Sequence, residues 1–80
     1  MDFWEFIEKK DLQPGTIFKY SGREYPPNYC ECNGIAISRE KYKELFDVIG
    51  EQYGAGDGVK TFNIPSIPRE KNSMSIIKLK

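Results

Sequence analysis

Glycine and proline cut this 80-residue chain into short pieces, and that punctuation excludes any architecture built on long elements. Breaks fall at Pro14-Gly15, Ser21-Gly22, Pro26-Pro27-Asn28, Asn33-Gly34, Gly50, Gly54-Ala55-Gly56-Asp57-Gly58, Pro65 and Pro68. What remains between them is strand-sized, apart from one segment near the N-terminus and one spanning 39–49. The fold expected is therefore α+β: a small single domain with short β-strands and a hairpin around one central α-helix (about 38–50). A short N-terminal helix and a C-terminal strand complete it.

The central helix has the clearest signal. Tyr42, Leu45, Phe46 and Ile49 recur at i, i+3, i+4, i+7 and share one stripe, an ordinary core face. Ser38 is the N-cap candidate, Arg39 to Ile49 the helix, and Gly50 sits where a residue of positive φ ends it. Arg39, Lys43, Glu44 and Asp47 fall on the other faces. Near the N-terminus, Asp2 can cap a helix from Phe3 to about Lys10, with Phe3, Trp4, Phe6 and Ile7 on one crowded apolar side and Glu5, Glu8, Lys9 and Lys10 on the wet side. Isolated helices shorter than ~12–15 residues are marginal in water, so this segment must pack on its own domain or on a neighbouring chain. The domain division expected is an N-terminal helical extension over 1–13 and a folded domain over 14–80.

Strands are expected at Thr16–Tyr20, at Tyr29–Cys32 and, across the Asn33-Gly34 turn, at Ile35–Ile37 as the returning arm of a small hairpin. Thr61 to Pro65 reads as a short extended segment that its prolines stop. Arg69 to Ser73 reads as a loop. Met74 to Lys80 closes the chain as a strand, with Met74 and Ile76 on one face and Ile77 and Leu79 on the other.

Composition excludes several function classes. Leu, Ile, Val and Phe make up 19 of 80 residues, too apolar for intrinsic disorder. Twelve basic and twelve acidic side chains cancel, so no basic field for nucleic acid or an anionic membrane is expected. No apolar run approaches the ~18–20 residues of a membrane span, and the N-terminus carries no signal-peptide pattern. Histidine is absent, which removes the commonest general base and metal ligand. Cys30 and Cys32 share a strand face and read as two small buried hydrophobes, because zinc would need two further soft ligands. The glycine-rich 54–58 stretch lacks the Gly-Lys-Ser/Thr ending of a phosphate loop and has one acid only, so its role is geometric. No catalytic residue, cofactor or metal is expected. Burying only ~60–65% of its unfolded surface, a domain this small is marginal alone, and a partner or oligomer would help it.

The order of these features carries more than any one of them. Pro14-Gly15-Thr16-Ile17, Gly22, Pro26, Tyr29, Cys32-Asn33-Gly34, Ser38-Arg39, Tyr42, Leu45-Phe46 and Val48-Ile49-Gly50 lead into Tyr53-Gly54-Ala55-Gly56-Asp57-Gly58 and Thr61-Phe62-Asn63-Ile64-Pro65. Over roughly 14–67 this string resembles the phage tail-collar domain. Tyr29 stands where that family commonly has Trp, Asn28 where it has Gly, and Cys30 where it has an apolar residue. Ser66-Ile67-Pro68-Arg69-Glu70-Lys71 replaces the family's usual Asp-Leu-Arg-Gly-Arg-Phe. Ile76-Ile77-Lys78 looks like the family's last strand with the large receptor-facing insertion deleted.

The resemblance implies a virion structural protein of a tail, collar or fibre, made in the host cytoplasm. Its partners would be other virion subunits and copies of itself, a trimer favoured. Phe3, Trp4, Phe6 and Ile7 are the residues expected to contact another virion subunit. The alternative is a small module for host-surface glycan, in which Tyr25, Tyr29 or Tyr53 would stack on sugar rings.

Overall fold

The last strand is the hub of the structure. In the computed structural model, which describes residues 12–22 and 25–80, β5 (Met74–Lys78) lies between β1 (Ile17–Tyr20) and β2 (Tyr29–Glu31), antiparallel to both. Its first four residues are buried, as expected of a central strand with both faces covered, and its sequence Met-Ser-Ile-Ile-Lys is correspondingly apolar. A second, two-stranded sheet pairs β3 (Ala36–Ser38) antiparallel with β4 (Thr61–Asn63). One helix, α1 (Lys43–Ile49), packs beside them. Over the described residues the result is a small compact domain, mostly antiparallel strands with one short helix. The expected helix over 3–10 lies outside the described residues.

One core joins both sheets to the helix. Leu45, Phe62, Ile64, Ile77, Cys32, Cys30 and Leu79 are buried together, with Ile37, Tyr42, Phe46 and Ile49 packed around them. All four residues of the predicted helical stripe thus meet the core, and Leu45 is wholly covered. The Phe46 and Phe62 rings lie 5.0 Å apart in a tilted arrangement, joining α1 to β4.

Two expectations are corrected. The segments on either side of Asn33-Gly34 do not pair as a hairpin: β2 joins β5, and β3 joins β4. A tight turn, in which the Asn33 N–H donates to the Glu31 carbonyl at 2.8 Å, leaves Cys32 bonded to Ser75. Two residues on, the Ile35 carbonyl already accepts from Ile64, so the chain has passed from one sheet to the other. The helix also starts at Lys43, after Tyr42 at φ −116°, ψ 46°. Arg39 cannot be its first residue, because its N–H still extends the β3–β4 ladder to the Lys60 carbonyl at 2.9 Å. Ser38 nonetheless caps the intervening turn: its Oγ accepts the Lys41 N–H at 3.0 Å and its carbonyl the Tyr42 N–H at 3.1 Å. At the other end Gly50 has the positive φ expected, 54°, and its N–H closes on the Phe46 carbonyl at 2.7 Å.

Both cysteines are buried and unbridged. Burial, reinforced by the neighbouring Cys30, pushes the Cys32 thiol up to about 11. A thiol raised in the folded state stabilises the fold at pH values below its ordinary range. That contribution is lost as pH climbs through about 11. We expect neither thiol to react with an aromatic disulfide reagent in the native protein at pH 8, and both to react once it is unfolded. Fast labelling of the native protein would contradict this packing.

Candidate functional site

Among the described residues, Arg39, Asp57, Thr61 and Asn63 converge on the outer edge of β4. An edge strand presents unpaired N–H and C=O groups that need cover. Here a loop and one arginine supply it. The Asn63 N–H donates to the Gly54 carbonyl at 3.0 Å, and the Thr61 N–H to Asp57 Oδ1 at 3.0 Å. The Thr61 carbonyl accepts from Arg39 Nε at 2.7 Å. Residues 54–57 and the Arg39 guanidinium thus stand where a third strand would.

Each member of this cluster makes more than one bond. Arg39 also donates to the Ala55 carbonyl at 3.0 Å, pairs with Glu51 at 3.3 Å and lies 4.6 Å from the centre of the Phe46 ring. Its side chain is only 18% exposed. Sequence periodicity set Arg39 on the wet side of the helix; the structure turns it inward, because it precedes the helix and belongs to the end of β3. The one signal pointing to it was Ser38-Arg39 within the ordered string. Asn63 bridges the loop in both directions, its Oδ1 accepting the Gly56 N–H and its Nδ2 donating to the Gly34 carbonyl, each at 2.9 Å. Thr61 Oγ1 accepts the Asp57 N–H at 2.8 Å.

Asp57 holds the turn from within. Its Oδ1 accepts N–H groups from Val59, Lys60 and Thr61 at 2.9, 2.7 and 3.0 Å, and these bonds pull its carboxyl down to about 2. A carboxyl lowered in the folded state stabilises it above the ordinary carboxylate range, and that stability is lost as pH falls through about 2. Asp57→Ala is expected to lower the thermal midpoint at pH 7, with the gap to wild type closing as the pH approaches 2. A gap unchanged by acid would show that the carboxylate is not what holds the turn.

The three tyrosines are placed differently. Tyr25 and Tyr53 are exposed, at 42% and 41%. The neighbouring Cys30 and partial burial hold the Tyr25 hydroxyl above its ordinary pKa. Tyr53 follows α1 and leads into the β4-covering loop. Tyr29 is half-buried, its ring edge-on to Phe18 with centroids 5.6 Å apart. Arg69, in the stretch that departs from the family pattern, grips Glu31 of β2 through two bonds of 2.6 Å. Phe3, Trp4, Phe6 and Ile7 lie outside the described residues. Among the described residues no group of three or more His, Cys, Asp or Glu could hold a metal ion. None of their helices is long and apolar enough to cross a membrane.

The glycine loop, the Asp57 turn and the Arg39 clamp all fall within residues 15–70, which match the family model of the phage tail collar domain. The chain belongs to the phage tail collar domain family. Comparison with curated proteins and with solved structures gives no match. A tail collar domain implies a structural role in a phage tail or fibre, and it is not a known enzyme family. In this collar domain the family's string Tyr53 to Pro65 is the segment that builds and covers β4.

Proposed function

We infer that this collar domain is an assembly module of a phage tail, collar or fibre, acting by docking on neighbouring virion subunits and by association with copies of itself. The family match over 15–70 carries the reading. The cluster on β4 supports it: Arg39, Asp57, Thr61 and Asn63 each bond to backbone groups of the same chain. That is the chemistry of a rigid scaffold. Small size supports it too, since a domain this short gains security from neighbours. A trimer is the association we favour, assembled from chains made in the host cytoplasm.

Light scattering on the purified chain tests the association. A mass three times the 9.3 kDa of one chain is expected. A monomer at all concentrations would overturn the trimer and leave docking on a larger subunit. Binding of the isolated protein to host glycans, competed by free sugar, would contradict a purely structural role and point to the exposed Tyr25 and Tyr53.

A further inference from the structure

Asn33 is the asparagine of this chain most prone to losing its side-chain amide. Of the four, Asn28, Asn33, Asn63 and Asn72, it alone is followed by glycine. A neighbour without a side chain leaves its backbone nitrogen free to close on the asparagine Cγ. In that reaction the glycine N–H gives its proton to hydroxide, and the nitrogen forms a bond to Cγ. The Cγ–Nδ2 bond breaks, and the nitrogen leaves as ammonia with a proton taken from water. Water then opens the five-membered imide at either carbonyl, giving aspartate or isoaspartate.

The fold leaves the electrophile open and shuts away the nucleophile. Asn33 is exposed, whereas Gly34 is half-buried. The Gly34 N–H donates to the Pro65 carbonyl at 3.0 Å, and the Ile67 N–H to the Cys32 carbonyl at 2.8 Å. These two bonds form the antiparallel bridge of Asn33 with Ser66. The Gly34 carbonyl accepts from Asn63 Nδ2 at 2.9 Å, so the glycine is held at both ends. Asn33 Oδ1 is held in turn by the Ile35 N–H at 3.2 Å. Ser66 leaves little room for movement, since a Cβ added to Gly34 would lie 3.1 Å from its own. A nitrogen whose proton is shared with a carbonyl must leave that bond before a base can take the proton. Asn72 is placed differently. It is exposed in the turn between Glu70 and Ser73, and the nitrogen that would attack it donates to the Glu70 carbonyl at a long 3.4 Å.

We propose that Asn33 is a deamidation site gated by folding, shut while residues 33–35 carry the chain from one sheet to the other and open once the chain unfolds. The isoaspartyl product then bars refolding. It adds a carbon to the main chain ahead of Gly34 and displaces that residue's N–H and C=O from Pro65 and Asn63. The aspartyl product keeps the ordinary backbone, and its carboxylate accepts the Ile35 N–H as the amide oxygen did. This inference goes beyond the assembly reading and does not rest on it.

Peptide mass spectrometry of the full chain, aged in mildly alkaline buffer with and without urea, reads each asparagine separately. In urea Asn33 is expected to convert first. In the native protein the order should reverse, with Asn72 ahead of Asn33. A reaction that proceeds through opening is slowed by the opening equilibrium, so native Asn33 should convert about tenfold or more slowly than in urea. Conversion of native Asn33 as fast as in urea, or ahead of Asn72, would overturn the gate. Chains aged in urea are then returned to buffer and the folded species isolated by gel filtration. Aspartate at position 33 should enter the folded fraction and isoaspartate should be missing from it, while Asn33→Asp should fold as wild type does. Isoaspartate in equal share among folded and unfolded chains would overturn the bar to refolding. Failure of Asn33→Asp to fold would overturn the lengthened backbone as its cause.

Discussion

Phe62→Ala is expected to leave the domain largely unfolded at physiological temperature. Phe62 has no exposed surface, sits mid-strand in β4 opposite Ile37, and its ring meets Phe46 of α1. Removing it takes the contact joining the two-stranded sheet to the helix and leaves a cavity beside Leu45 and Ile64. Truncations of this kind cost ~3–5 kcal/mol. Folded chains hold about 0.05–0.15 kcal/mol per residue in total, so this loss is a large fraction of what an 80-residue domain has. Urea denaturation followed by circular dichroism is the check. The midpoint should fall by more than half or the native baseline vanish; a midpoint within error of wild type would remove Phe62 from the centre of the core.

Gly56→Ala should be nearly as damaging, and Gly58→Ala much less so. Both glycines have positive φ, 57° and 83°, where a side chain is strained. Their surroundings differ. A Cβ on Gly56 would overlap Thr61 Oγ1 and come within 2.6 and 2.7 Å of the Thr61 carbonyl carbon and oxygen. Thr61 cannot yield easily, since Arg39 holds its carbonyl and Asp57 its N–H and hydroxyl. A Cβ on Gly58 meets nothing within 4 Å. Gly58→Ala thus carries only the left-handed backbone cost, ~1–2 kcal/mol. Gly56→Ala adds overpacking of ~1–3 kcal/mol, and the loop leaves the edge of β4. Denaturation midpoints of the two variants should separate clearly. Equal midpoints would mean that the loop is not clamped against Thr61.

These expectations rest on contacts of unequal legibility in the sequence. Local features were readable: the apolar stripe of α1, the positive φ at Gly50, and the division of Met74 and Ile76 from Ile77 and Leu79 all follow from periodicity over a few residues. Burial of the Cys30–Cys32 pair was readable too, because i and i+2 on a strand share a face. Strand partnership was not. Asn33-Gly34 has the composition of a hairpin turn, and only the claims of Ser75 on Cys32 and of Ile64 on Ile35, more than 25 residues away, send its two arms to different sheets. Arg39 was obscured for the same reason. Its place among helical residues is a property of the sequence, whereas its guanidinium answers to Thr61 and Ala55 across the fold. The role of the glycine stretch was legible as geometry. That it substitutes for a missing strand along β4 appears only once Asp57, Asn63 and Arg39 are seen together.

The collar family match and the self-directed chemistry of its signature residues lead to a single statement, that this chain is a building part of a tail. Quantitative peptide mass spectrometry of gradient-purified particles, from cells expressing the chain, tests it most directly. This protein is expected at a fixed copy ratio to tail proteins, retained through successive gradients. A chain abundant in the lysate but missing from the particles would contradict it.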